Sequence, residues 1–256
     1  MKKQLWFLIA IILIISFNCG KKKEPCAVFY PVREGAKLNF ISYVTDRNNQ
    51  ILYPFDYSER RYIYSDTVAG KVIHYYIEKG ALCSFYTDDS CTIWNKIPTD
   101  LAALAVSCGF AYRDSVILAF WKPVIKVTDG VNTSWELRKD TTFTAPGPDG
   151  RDHELRYEFS GSAQYKGWTE VIVPEDRTKK LKVRQVTWQP ISFLLYDETS
   201  NDTLFHKIGT ASDYFEPELG LVRAISDYDL LLKGNPKTFQ KSTYELYHIF
   251  LPMPKK

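Results

Sequence analysis

Asp149, Arg151, Asp152, His153 and Glu154 crowd three carboxylates, a guanidinium and one of the chain's four histidines into a single short stretch. An imidazole beside carboxylates can relay protons or hold a cation, so this cluster is the candidate for metal-assisted hydrolysis. A solvated loop next to Ala145-Pro146-Gly147-Pro148 explains the same composition, because no second histidine and no nucleophile lies nearby in sequence. His74, His206 and His248 stand singly in strand-like stretches, and Ser160-Gly161-Ser162 lacks the G-x-S-x-G pattern of a nucleophile elbow. No glycine loop that would cradle phosphate occurs. The sequence therefore assigns no catalytic residue, no metal ligand and no cofactor.

The five cysteines carry different chemistry. Cys19 follows a basic pair, Lys2 and Lys3, and an unbroken apolar run of 11 residues, Leu5 to Ile15. That order is a secretory signal, and the run falls short of the roughly 20 residues that a spanning helix needs. Cys19 in this setting resembles the acylated cysteine of bacterial lipoproteins, with Ser16 and Asn18 at places where Leu and a small residue are usual. The expectation is a lipoprotein signal peptide over 1–18, palmitate-type acyl chains on Cys19, and a basic, Pro-ended tether over 19–28. A plain secretory signal with an unmodified Cys19 is the competing reading. Gly20 after the cysteine points to the outer membrane, facing the periplasm, in bacteria that sort by that residue. Cys26, Cys83, Cys91 and Cys108 then remain in an oxidising compartment. A disulfide among Cys83, Cys91 and Cys108 is expected from their closeness in the chain. Zinc is disfavoured because no C-x2-C pair is present.

Without Lys2 and Lys3 the formal charge falls from +3 to +1, too weak a field for nucleic acid. Hydrophobic residues at 45% and charged residues at 25% fit an ordinary globular domain of 256 residues. Leu38 to Thr45 alternates apolar and polar positions, and Tyr62–Val68, Lys71–Glu78 and Ala81–Thr87 are joined by Ala69-Gly70 and Lys79-Gly80, as in a β-meander. Leu101 to Cys108, capped by Thr99 or Asp100 and closed by Gly109, predicts the one helix. Strand character resumes over Ser115–Thr128 and continues through Asn132–Arg138, Leu155–Ser160, Lys179–Trp188, Ile191–Asp197, Leu204–Ala211, Leu219–Asp227 and Thr243–Phe250. Lys166-Gly167 is expected to turn the chain into a separate strand, Trp168 to Val173, and 144–152 is the expected break if the β-rich region 29–256 holds two subdomains. The fold class is mainly β: a twisted antiparallel sheet, half-barrel or barrel-like, with one short helix near 100–108.

Tyr30-Pro31-Val32-Arg33-Glu34-Gly35-Ala36-Lys37-Leu38-Asn39-Phe40 resembles the YPL-x-x-G-x-x-W-x-Y opening of a broad group of uncharacterised bacterial envelope lipoproteins. Val171-Ile172-Val173-Pro174 with Leu181-Lys182-Val183 is similar to that group's V-x-V-P-A-G-x-F-x-x-C-L-K-V segment. Asp213 to Val222 is similar to its YWFAPGVGLVK strand-turn-strand, with Glu218-Leu219 where that group has Gly-Val. The resemblance implies a twisted antiparallel sheet and brings no catalytic residues. The functional expectation is a lipid-anchored, non-catalytic envelope protein, held at the membrane by its acyl chains and binding an apolar ligand or an envelope protein. An apolar cup would be lined by Tyr53, Phe55, Tyr57, Tyr62, Tyr64, Tyr75 and Tyr76. A closed core filled by the same rings, an enzyme built on His153, and a purely structural or assembly role are the alternatives.

Overall fold

The computed structural model describes residues 34–126, 130–172 and 179–250. Among the described residues the strands are β1 (Lys37–Thr45), β2 (Ile51–Val68), β3 (Lys71–Glu78), β4 (Ala81–Thr87), β5 (Thr92–Lys96), β6 (Thr99–Asp100), β7 (Ile117–Leu118), β8 (Lys122–Lys126), β9 (Ser134–Pro146), β10 (Asp152–Ile172), β11 (Lys180–Asp197), β12 (Asp202–Glu216), β13 (Gly220–Leu232) and β14 (Thr238–Phe250), and the helix among them is α1 (Leu101–Ser107). Twelve strands form one antiparallel sheet in the order β8-β5-β4-β3-β2-β1-β14-β13-β12-β11-β10-β9. The mainly-β expectation therefore holds.

Strands β8 and β9 follow each other in the chain yet sit at opposite edges of this sheet. Curling brings the two edges together: the Trp135 indole N–H on β9 donates to the Pro123 carbonyl on β8 at 3.3 Å. A common core draws Phe40, Tyr76, Phe85 and Ile125 from one half of the sheet and Tyr165, Val186 and Trp188 from the other. The result is a near-closed barrel, and among the described residues no strand ladder joins its two edges. Pro123 is tolerated because β8 is an edge strand, where no ladder donor is missed.

Period-two burial explains the long strands. In β10 every odd-numbered residue from His153 to Gly167 is buried, so its inner face runs without interruption from Leu155, Tyr157 and Phe159 to Ala163 and Tyr165. Lys166-Gly167 is accordingly no turn. The β10–β11 register shifts between Tyr165 and Gly167, leaving Lys166 as a bulge, and Gly167 takes φ +92°. The expected break at 144–152 is the β9–β10 hairpin turn, across which the sheet is continuous. Two further readings need correction: the Ser115–Thr128 stretch supplies only β7 and β8, and β2 begins eleven residues before the expected Tyr62.

The crossover between β5 and β8 carries α1, whose Leu101 and Ala105 pack on Phe143, Leu155, Tyr157, Leu195 and Leu204 as a second core. Asp100 caps the helix through its Oδ1, which accepts the N–H groups of Ala102 at 3.0 Å and Ala103 at 3.3 Å. The half of β10 to β12 that extends beyond the barrel core is thereby covered.

Candidate functional site

His153 does not lie on a solvated loop. Its ring is buried, with Nδ1 2.7 Å from Asp197 Oδ2 and Nε2 3.0 Å from Asp149 Oδ1, and its plane stands edge-on to Phe110. Asp197 is 44 residues away in sequence and arrives through the β10–β11 pairing, in which Leu155 faces it. Asp197 also accepts from the backbone N–H groups of Thr199 and Ser200 and from the Ser200 hydroxyl. Gly147 makes room for the ring, since a Cβ there would come within 2.6 Å of it. Of the other residues in the sequence cluster, Arg151 and Glu154 are exposed, and Asp152 pairs with Arg113 at 2.9 Å. Both imidazole nitrogens are thus engaged by carboxylates, leaving neither for a metal or a substrate. Among the described residues no group of three His, Cys, Asp or Glu is placed to hold a metal ion. The cluster ties two hairpin turns together.

The arrangement makes a pH-dependent contribution to stability whose sign follows from the shifts. The hydrogen bond to Asp197, then that to Asp149, raises His153 above its ordinary value of 6.5. Burial pushes Asp197 upward, but its hydrogen bonds from Ser200 and His153 outweigh that, and it falls below 3.8. The Arg151 backbone N–H and His153 lower Asp149 likewise. The histidine's contribution is fully present below about pH 6.5 and is lost as pH rises through the raised value; the carboxylates' part is lost only as pH falls through values under 3.8. The melting-temperature gap between the natural chain and His153→Gln is expected to be widest near pH 5 and to shrink by pH 8.5. A gap independent of pH in a thermal scan series would contradict the clamp.

The interior is filled. Tyr62 and Tyr76 lie in the barrel core, and Arg60 stacks between the rings of Phe40 and Tyr76 at 5.0 and 5.1 Å while pairing with Glu78. Burial lifts Asp213 to about 6, although it accepts the Trp188 indole N–H at 2.9 Å and feels the charge of Lys122. Between the crossover residues Leu118 and Phe120 and the sheet residues Tyr157, Phe159 and Phe193, only about 70 Å³ is left. Ligand cavities of small molecules usually run to about 300–1,000 Å³. The expected aromatic cup is therefore split: Tyr62 and Tyr76 fill the core, whereas Tyr53, Phe55, Tyr57 and Tyr64 are 53%, 47%, 66% and 49% exposed.

That exposure marks the feature that sequence reasoning missed. Ile51 to Tyr57, the start of β2, is exposed at every position and therefore on both faces of the strand. It pairs with β1 alone, since β3 begins its register only at Arg60. On the outer face Phe55 meets Tyr43 edge-on at 5.5 Å and Tyr57 meets Tyr247 at 6.3 Å. Leu52 and Tyr53 also line an open groove of about 660 Å³ between the β1–β2 and β13–β14 turns. There Arg47 lies 4.8 Å over the Phe239 ring, and Lys237 pairs with Asp229 at 2.9 Å. The free edge of the segment is blunted by Pro54, by register shifts on either side of Val44, and by the Asp56–Lys79 ion pair at 2.7 Å. Side chains, more than backbone, are what this segment offers.

The thiols correct a further expectation. Cys83 is buried and free, with burial pushing its pKa up to about 11, and Cys108 is also free. No bridge joins Cys83, Cys91 and Cys108 to one another. Cys91 is disulfide-bonded, and its partner lies outside the described residues, as do Cys19, the signal segment and the tether.

Fold and site together define a near-closed antiparallel β-barrel with a filled interior and an apolar rim. No protein-family model and no curated protein matches the chain. Among solved structures it is similar to a candidate lipoprotein from Parabacteroides distasonis ATCC 8503. That match has 12% identity and a TM-score of 0.42, and it covers 89% of this chain and 100% of the other.

Proposed function

We propose that this chain is a lipid-anchored protein of the bacterial cell envelope that acts by binding another envelope protein through its rim, without catalysis. In this reading Cys19 carries the acyl chains, residues 1–18 are removed, and the barrel stands in the periplasm on the outer membrane. The anchor is supported by the order of Lys2, Lys3, the apolar run and Cys19. The observation that carries the binding role is the exposed stretch Ile51–Tyr57 beside the Arg47–Phe239 groove. Exposed apolar surface of this kind is costly to keep in water unless something covers it part of the time. A filled interior with about 70 Å³ beneath the crossover favours a protein partner over an apolar ligand held inside.

The reading is tested by placing a photo-crosslinking amino acid at Tyr57 in the full chain expressed in its bacterial envelope, with Thr142 on the exposed edge of β9 as the control position. A discrete adduct formed from position 57 and absent from 142 is expected. The variant Phe55→Ser with Tyr247→Ser is expected to lose that adduct while costing no more than about 1 kcal/mol of stability each, because Phe55 and Tyr247 are 47% and 41% exposed and make only cross-strand ring contacts. Equal labelling from both positions would end the proposal.

A further inference from the structure

The two ends of the barrel differ in what they expose. Antiparallel pairing carries the start of β1, the β2–β3 turn and the close of β10 to one end, and the Arg47–Phe239 groove to the other. We propose that the first of these ends is a membrane-contact face, resting on a bilayer that contains anionic lipid, with Trp168 and Ile172 on one wall and the β2–β3 hairpin tip on the other set among the headgroups. The proposal rests on the reading that Cys19 is acylated: β1 starts at this end, so an anchor N-terminal to it draws this end toward the bilayer.

On β10, Trp168, Glu170 and Ile172 are exposed at alternate positions, while Val171 between the last two belongs to the core. The register sets Ile172 opposite Lys180, Glu170 opposite Lys182 and Trp168 opposite Arg184, so these side chains share the outer face of the two strands. Lys182 Nζ lies 5.0 Å from the centre of the Trp168 ring and the Arg184 guanidinium 4.7 Å from it, and Lys180 pairs with Glu170 at 3.2 Å. Trp168 is 39% and Ile172 50% exposed, whereas the other described tryptophans are half-buried, as Trp94 and Trp121, or buried, as Trp135 and Trp188.

On the opposite wall, β1 begins at Lys37 facing Arg61, and β2 runs on to Val68 before it turns into β3. The hairpin therefore projects past the start of β1, and every residue from Tyr64 to Val72 is exposed. Its tip reads Val68-Ala69-Gly70-Lys71-Val72, with the two valines 45% and 52% exposed, and Asp66 is the carboxylate closest to it in sequence. Exposed apolar residues flanked by lysines, with an indole among them, suit the boundary between water and lipid. The amphipathic indole lies at headgroup level, and lysine stems follow apolar surface while their ammonium groups reach phosphate. The Arg47–Phe239 groove then faces away from the bilayer, toward a partner.

Quenching of tryptophan fluorescence by brominated lipid tests the contact. The full chain, purified from membranes, is reconstituted into vesicles of phosphatidylethanolamine and phosphatidylglycerol with brominated acyl chains, beside Trp168→Phe and beside Trp168→Phe with Tyr112→Trp. Tyr112 is 54% exposed and follows Ala111, whose N–H donates to the Pro146 carbonyl at the groove end of the barrel. The natural chain is expected to be quenched, Trp168→Phe to lose most of that quenching, and Tyr112→Trp not to restore it. Equal quenching of the natural chain and Trp168→Phe, or its return with Tyr112→Trp, would overturn the orientation. Sedimentation of the vesicles after a high-salt wash reads the anchor separately. Chain that stays with the vesicles while Trp168 goes unquenched leaves the anchor standing and overturns the contact face. Chain that washes off removes the anchor and the contact face with it.

Discussion

Gly209→Ala is expected to destabilise the barrel by more than about 3 kcal/mol, or to prevent recovery of folded protein altogether. Gly209 sits in β12 opposite Tyr228 of β13. A Cβ built on it would stand 2.0 Å from the Asp227 carbonyl oxygen, 2.6 Å from Tyr228 Cα and 2.9 Å from the Asp227 carbonyl carbon. All three atoms are backbone of the paired strand, so no side-chain rotation relieves the overlap. The strands must separate, breaking ladder hydrogen bonds in the middle of the sheet. Gly234→Ala is the control: nothing lies within 4 Å of its added Cβ, and only its φ of +79° is penalised, at about 1 kcal/mol. Denaturant unfolding of the two variants should differ by a wide margin, and equal midpoints would show that β12 and β13 do not approach as closely as described.

The second large effect is expected at Arg60. Its side chain is 3% exposed and that of Glu78 is 15% exposed, with 3.0 Å between them. The Arg60 Nε and Nη2 groups donate to the two Glu78 carboxylate oxygens, and the Tyr244 hydroxyl donates to Glu78 as well. Burial alone would lower the pKa of Arg60, but the charge of Glu78 holds it well above its ordinary value, so the guanidinium stays charged. Arg60→Ala strips Glu78 of its cation inside the barrel and removes the layer between Phe40 and Tyr76; a loss of about 3–5 kcal/mol is expected. Replacing both partners together, Arg60→Met with Glu78→Leu, is expected to recover most of that loss, because two apolar groups leave no buried charge unpaired. A double-mutant cycle by urea denaturation measures this coupling. Additive losses would mean that the pair is solvated in solution.

Much of the strand plan was legible because period-two alternation is local: Leu155, Tyr157 and Phe159 declare a buried face of β10 whatever lies opposite. The helix over 101–107 was equally legible from Asp100 and the Ala/Leu run that follows it. Lys166-Gly167 misled for a physical reason, since a bulge and a tight turn both use a glycine at positive φ, and only the continuation of the β10–β11 ladder tells them apart. The aromatic residues misled for another: Tyr62 and Tyr53 carry the same ring, and burial depends on where β3 stops pairing with β2, which is a property of the register.

The sequence by itself determined an antiparallel β protein with a short helix over 101–107, because hydrophobic alternation and capping are read along the chain. Only the tertiary structure decided that the sheet curls until Trp135 reaches Pro123, that His153 is clamped by a carboxylate 44 residues away, and that Cys83 and Cys108 remain free while Cys91 is bonded. Those are questions of which distant residues become neighbours. They are settled by strand register and sheet curvature, and neither is encoded in the spacing of residues along one strand.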